Sequence, residues 1–168
     1  MSTETGFGIG AAPQPAPESK QSEFSTLQLQ NAARSGANWF FWIAGLSAVN
    51  TGLHLSGSDT SFIVGLGVSQ ILDLIGRETG SVGAAVSLIL NAVVLGIFVL
   101  FGVFARKRNT WAFVLGMSIY ALDAVIYVLG SDWLGVGFHA LVLFFLWGGF
   151  KAHRKLRALE ALQPKTIP

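Results

Sequence analysis

An aspartate, Asp123, and a histidine, His139, each stand within a stretch of Leu, Val, Ile, Phe and Ala. An acid and an imidazole in such surroundings can relay a proton, or hold one another as an ion pair. Asn50, Asn91, His54, Tyr120 and Tyr127 interrupt stretches of the same kind and complete the candidates for ligand or proton binding. Their spacing is regular. Ser47, Asn50 and His54 recur at intervals of three and four, as do Gly80, Ala84, Ser87 and Asn91, then Gly116, Tyr120, Asp123 and Tyr127, while Gly135 precedes His139 by four. Such intervals place each set on one stripe of a helix.

Other chemistries find no footing. The chain has no cysteine, which removes disulfides, thiol catalysis and thiolate metal sites together. HExxH, GxSxG and P-loop patterns are absent, and Gly6-Phe7-Gly8-Ile9-Gly10 has neither a strand before it nor a helix directly after it. His54 and His139 are a lone pair of candidate haem or metal ligands, without a CxxCH motif, and with Asp123 they supply at most three zinc ligands. The expectation is therefore no cofactor, no metal and no enzymatic activity.

The elements that must position these side chains follow from composition. Of 168 residues, 52% are apolar and 12% charged, and the mean hydropathy is +0.57. An average soluble domain carries roughly a quarter charged residues, which argues against a soluble enzyme. A bilayer core about 30 Å thick is crossed by about 20 apolar residues in a helix, because lipid offers backbone groups no partners. No charge falls between Ser35 and Ser58, between Thr79 and Ala105, or between Trp133 and Phe150, and only Asp123 falls between Asn109 and Ser131. These runs predict an all-α polytopic membrane protein. Its four-transmembrane-helix antiparallel bundle occupies residues 35–152, with spans near 38–57, 80–105, 110–129 and 133–152.

Two segments do not span. Residues 1–34, with Pro13, Pro15 and Pro17, read as an unstructured cytoplasmic tail. Ser25 to Arg34 is a candidate surface helix, Ser25 and Gln28 being spaced as a capping box. Segment 61–76 is too short to cross. With Phe62, Leu66, Ile71, Leu72 and Ile75 on one side and Gln70, Asp73 and Arg77 toward the other, it reads as a short interfacial helix between the first two spans, in preference to a re-entrant one.

Ten of the 11 Lys and Arg residues fall on one side of this arrangement: Lys20 and Arg34, then Arg106 to Arg108, then the tail of residues 151–165. Basic loops stay cytoplasmic, so both termini are expected inside a bacterial-type cell membrane, with residues 153–168 as a basic cytoplasmic tail. That tail is a snorkelling anchor and a candidate site for anionic lipid. No aromatic or base-reading residues interleave with it, which argues against nucleic acid.

A rise of about 1.5 Å per residue puts Asn91 near the bilayer centre, with Asn50, Asp123 and His139 about 3 to 5 Å and His54 about 10 Å toward the outside. One polar cluster is thus expected in the outer half, with Asp123 paired to His139 or to the two asparagines. Asn50, Ser87 and Asn91 read as packing contacts worth roughly 0.6 kcal/mol each, and Gly80, Gly83, Ala84 and Ser87 let backbones approach. Asp123 differs as the only acidic residue within a span. The function expected is that of a non-enzymatic accessory or assembly subunit, packing against itself or a membrane-protein partner. The alternative is a minimal proton-coupled carrier or small-ligand-binding protein using the Asp/His/Asn cluster.

Overall fold

The computed structural model describes residues 17–56 and 65–162, all helical apart from short connections. In chain order the helices are α1 (Pro17–Leu55), α2 (Gly67–Glu78), α3 (Gly80–Arg106), α4 (Thr110–Leu129) and α5 (Trp133–Leu162). Three of the described helices, α3, α4 and α5, are long and apolar enough to cross a membrane. Helix α1 is the longest, but Asn38, Ser47, Asn50, Thr51 and His54 dilute its apolar half.

The connections are tight. Thr79 alone separates α2 from α3, and Gly80 opens α3 at φ 73°, a left-handed conformation glycine adopts without steric cost. Arg108 at φ 66° and Ser131 at φ 56° turn the chain after α3 and α4. Asp132 Oδ1 then accepts the Gly135 N–H at 3.0 Å, covering a donor that the start of α5 would leave unpaired.

Helix α1 packs along α3 and α5, α4 along α5, and α3 less extensively along α4, while α2 lies chiefly on α3 with lesser contact to α1 and α4. Phe40, Phe98, Phe101 and Phe113 pack together in the core, with ring centroids 5.8 to 6.5 Å apart. Glycine admits these contacts. A Cβ on Gly116 would lie 2.5 Å from the Phe40 ring, and one on Gly36 would lie 2.4 Å from the Gly149 Cα, so the α1 and α5 backbones touch there. Large apolar side chains such as Val82, Ile89, Leu122, Leu129 and Phe144 point outward, a surface suited to hydrocarbon.

Three expectations are corrected. Residues 17–34 are not an unstructured tail, because α1 begins at Pro17 and runs unbroken into the apolar stretch. Proline at a first helical position costs no hydrogen bond, and Glu18 to Ala33 contains no glycine or further proline to stop the helix. Ser25 does not cap anything; its hydroxyl donates back to the Ser22 carbonyl at 2.8 Å. The two sides expected of segment 61–76 are each divided: Asp73 is buried although Arg77 is exposed, and Ile71 and Ile75 are exposed although Leu66 is buried. Phe62 and Gly6 to Gly10 lie outside the described residues.

Candidate functional site

The polar side chains of α1, α3, α4 and α5 converge on α2. Asp123 sits at its N-terminal end, where Gly67 N–H donates to Oδ2 at 2.7 Å and Val68 N–H donates to Oδ1 at 2.9 Å. The first N–H groups of a helix have no partner within it, and the N-terminus carries partial positive charge. A carboxylate from α4 thus supplies what no neighbouring side chain of α2 does. Ser47 Oγ, on α1, accepts the Leu66 N–H at 2.8 Å just upstream. Gly65 lies against Asn50, and a Cβ there would be 2.9 Å from Asn50 Nδ2.

His139 completes this group. Its Nε2 is 3.0 Å from Asp123 Oδ2 and its Nδ1 is 2.9 Å from the Gly135 carbonyl oxygen. Both ring nitrogens face acceptor oxygens. The ring lies between two tyrosines, stacked on Tyr120 at 4.4 Å and tilted against Tyr127 at 4.6 Å. Tyr127 Oη donates to the Gly65 carbonyl at 3.1 Å and accepts from Gln70 Nε2 at 2.9 Å, which fastens the same end of α2 again. Tyr120 Oη is buried without a hydrogen-bond partner among the described residues.

A second group surrounds Asp73, halfway along α2. Thr51 Oγ1 donates to its Oδ2 at 3.1 Å, Asn91 Nδ2 donates to its Oδ1 at 2.6 Å, and His54 Nε2 lies 3.0 Å from its carbonyl oxygen. Ser87 Oγ donates to the Leu72 carbonyl at 2.6 Å, and a Cβ on Gly76 would come 2.7 Å from that of Ser87, so α2 and α3 are in close contact.

The candidates read from the sequence therefore divide. Asp123, His139, Tyr120 and Tyr127 come together, with Asn50 beside the chain entering α2. Asn91 and His54 belong with Asp73 instead. The sequence pattern places Asp73 itself, together with Gln70, on the polar side of an interfacial helix, and it does not single out Thr51. A signal is nonetheless present, since Ser69, Asp73 and Gly76 follow the intervals of four and three that mark the inward stripes of the other helices. The two histidines considered as a metal or haem pair sit in separate groups, and no three His, Asp or Glu side chains among the described residues cluster to hold a metal ion.

An apolar groove of about 370 Å³ between α3 and α4 reaches the wall formed by Asp123, past Val94, Ile97, Ile119 and Leu122. At the far end of the molecule, Arg106 Nε donates to Asn38 Oδ1 at 2.8 Å and Arg108 pairs with Glu160. There His153 Nε2 lies 2.9 Å from Thr110 Oγ1, which also accepts from Arg157 at 3.0 Å. His153 lies on the charged extension of α5 beyond Phe150. Burial first, and then Arg157 and Arg108, hold its pKa below the ordinary histidine value. A neutral Nε2 accepts the Thr110 hydroxyl proton, so the three groups are satisfied together.

Comparison with known protein families, with curated proteins and with solved structures yields no match in any of the three.

Proposed function

We propose that this chain is a multi-pass membrane protein with four spans, the apolar half of α1 being the first, in an antiparallel bundle with both ends cytoplasmic. In this reading α2 is a re-entrant helix held in the outer half of the bundle, and the molecule is a non-enzymatic accessory or assembly subunit. One observation carries it: both oxygens of Asp123 are bonded within the protein, to the first N–H groups of α2 and to His139. A group saturated in this way anchors a helix and leaves little for a reactant. Arg106 to Arg108 and Lys151 to Arg157 gather at one end, where α3 meets α1 and α4 meets α5, as the positive-inside rule requires of a cytoplasmic face. The same basic end is suited to anionic lipid.

The alternative, a minimal proton-coupled carrier or small-ligand-binding protein, draws on the groove that opens beside Asp123. Two measurements bear on this, the first on the topology and the second on the choice between the two readings. Because the chain lacks cysteine, single cysteines at Asn109 and Ser131 report topology without background. An impermeant maleimide should label the Ser131→Cys variant on intact cells, and the Asn109→Cys variant only after permeabilisation. Extraction from native membranes in mild detergent should yield the chain in a complex with itself or a partner. A lone monomer that binds a ligand in a pH-dependent way, lost in Asp123→Asn, would instead establish the carrier.

A further inference from the structure

A groove of about 650 Å³ runs between α4 and α5 on the outside of the bundle. Small side chains, Ser118, Ala121 and Ala140, leave the space, and Phe144, Trp147 and Phe150 wall it along α5. From Ala140 to Phe150 it follows α5 for about 15 Å at a rise of about 1.5 Å per residue, half of a hydrocarbon core about 30 Å thick. That half is the depth to which the acyl chain of one leaflet reaches. The mouth of the groove is basic. Lys151 and Arg154 each stand one turn beyond an aromatic wall, on the same face of α5 as that wall. Lys151 Nζ is 6.0 Å from the centre of the Trp147 ring, and the Arg154 guanidinium is 6.0 Å from that of Phe150. Both cations are exposed. Asp123 and Glu160 are the only acidic residues of α4 and α5. Asp123 holds α2 at the opposite end, and Glu160 pairs with Arg108. Glu23 of α1 lies beside Leu159 and Leu162, further along the tail. The groove between α3 and α4 has no such mouth, since it opens toward Asp123 and no Lys or Arg among the described residues lines it.

We propose that this groove binds an anionic glycerophospholipid, with one acyl chain lying between α4 and α5 and the phosphate resting on Lys151 and Arg154. Apolar walls alone hold the chain of any lipid, so the preference for an anionic headgroup comes from the two cations. A guanidinium offers phosphate oxygens paired, parallel hydrogen bonds, and an ammonium adds a compact charge beside it. A second copy of this chain fits the groove less well. It would bring its own basic end to the same level of the membrane, and like charges set together oppose association. The proposal deepens, and rests on, the reading of this end as the cytoplasmic face, where the leaflet carries anionic lipid.

The test titrates the purified full-length chain in mild detergent with dioleoyl phosphatidylglycerol or dioleoyl phosphatidylcholine, which share their acyl chains. Native mass spectrometry follows the first lipid bound. Phosphatidylglycerol should bind about tenfold more tightly, through the attraction of two basic residues. Lys151→Gln combined with Arg154→Gln should bring it down to the phosphatidylcholine affinity. Arg34→Gln combined with Lys107→Gln removes the same charge from α1 and from the turn after α3, and should leave the preference intact. Ala140→Phe fills the groove and should weaken both lipids severalfold. Should that variant fail to fold, Ser118→Leu narrows the groove from α4 instead. Equal affinity for the two lipids, an equal loss in both charge pairs, or binding unchanged by filling the groove would overturn the proposal. Binding in micelles does not depend on which face is cytoplasmic, so such a result leaves the orientation standing, and the maleimide labelling tests that separately.

Discussion

Replacing Asp123 by alanine tests what the buried carboxylate is for. In the native chain it accepts from Gly67 N–H, Val68 N–H and His139 Nε2 at 2.7, 2.9 and 3.0 Å. Truncation leaves all three donors facing apolar surroundings. A buried donor without a partner costs about 1 to 3 kcal/mol, so the two backbone groups alone predict a loss of roughly 2 to 6 kcal/mol. Asp123→Asn keeps one oxygen and turns an NH₂ toward the other N–H, so it should lose about 1 to 3 kcal/mol. The assay is reversible unfolding in mixed micelles of rising SDS content, followed by tryptophan fluorescence. Because α2 can leave its seat without global unfolding, a single cysteine at Leu66, which is 1% exposed, reports the local event through its maleimide reaction rate. The expected order is wild type, then Asn, then Ala, with faster labelling in the alanine variant. Alanine within about 0.5 kcal/mol of wild type, with an unchanged labelling rate, would refute the reasoning.

Further outcomes follow from other contacts. Gly36→Ala and Gly149→Ala force a methyl group against backbone 2.4 to 2.5 Å away, and each should cost about 1 to 3 kcal/mol in the same unfolding assay. Gly45→Ala and Gly148→Ala meet nothing within 4 Å and should be neutral or stabilising by up to about 1 kcal/mol. The depressed pKa of His153, set by burial and then by Arg157 and Arg108, means that the unfolded chain binds its proton first as pH falls. Stability from this residue is therefore complete above the ordinary value of 6.5 and declines below it. Melting temperature should fall as pH drops below about 6.5, and His153→Gln should flatten that decline.

Helix positions in the apolar half of the chain were legible in the sequence because lipid imposes a length and forbids charge. The meeting of Asp123 and His139 was legible as one of two pairings, for a related reason: each stands in a long apolar run, and their estimated depths agree. The burial of Asp73 was not, because an aspartate and a glutamine in a short segment ordinarily mark the wet side. Here Asp73 and Gln70 find Thr51, Asn91 and Tyr127 on helices far away in sequence, and no local pattern encodes those partners. The docking of the α2 N-terminus on Asp123 was hidden for a similar reason. Its donors are backbone groups, which every residue except proline possesses and which carry no signature in side-chain type. In the upstream half of α1 only Ser25 to Arg34 was legible as a candidate helix, because composition with three prolines suggests disorder, although the last of them sits where a helix can begin.

The amide protons of Gly67 and Val68 offer the most direct test of the view that the polar side chains of the bundle exist to hold α2. In isotopically labelled protein in micelles, both should exchange slowly with deuterium and shift downfield, as donors to a carboxylate do. In Asp123→Ala both should exchange at rates near those of open chain. Rapid exchange of these two amides in the native protein, or protection that survives the loss of Asp123, would contradict it.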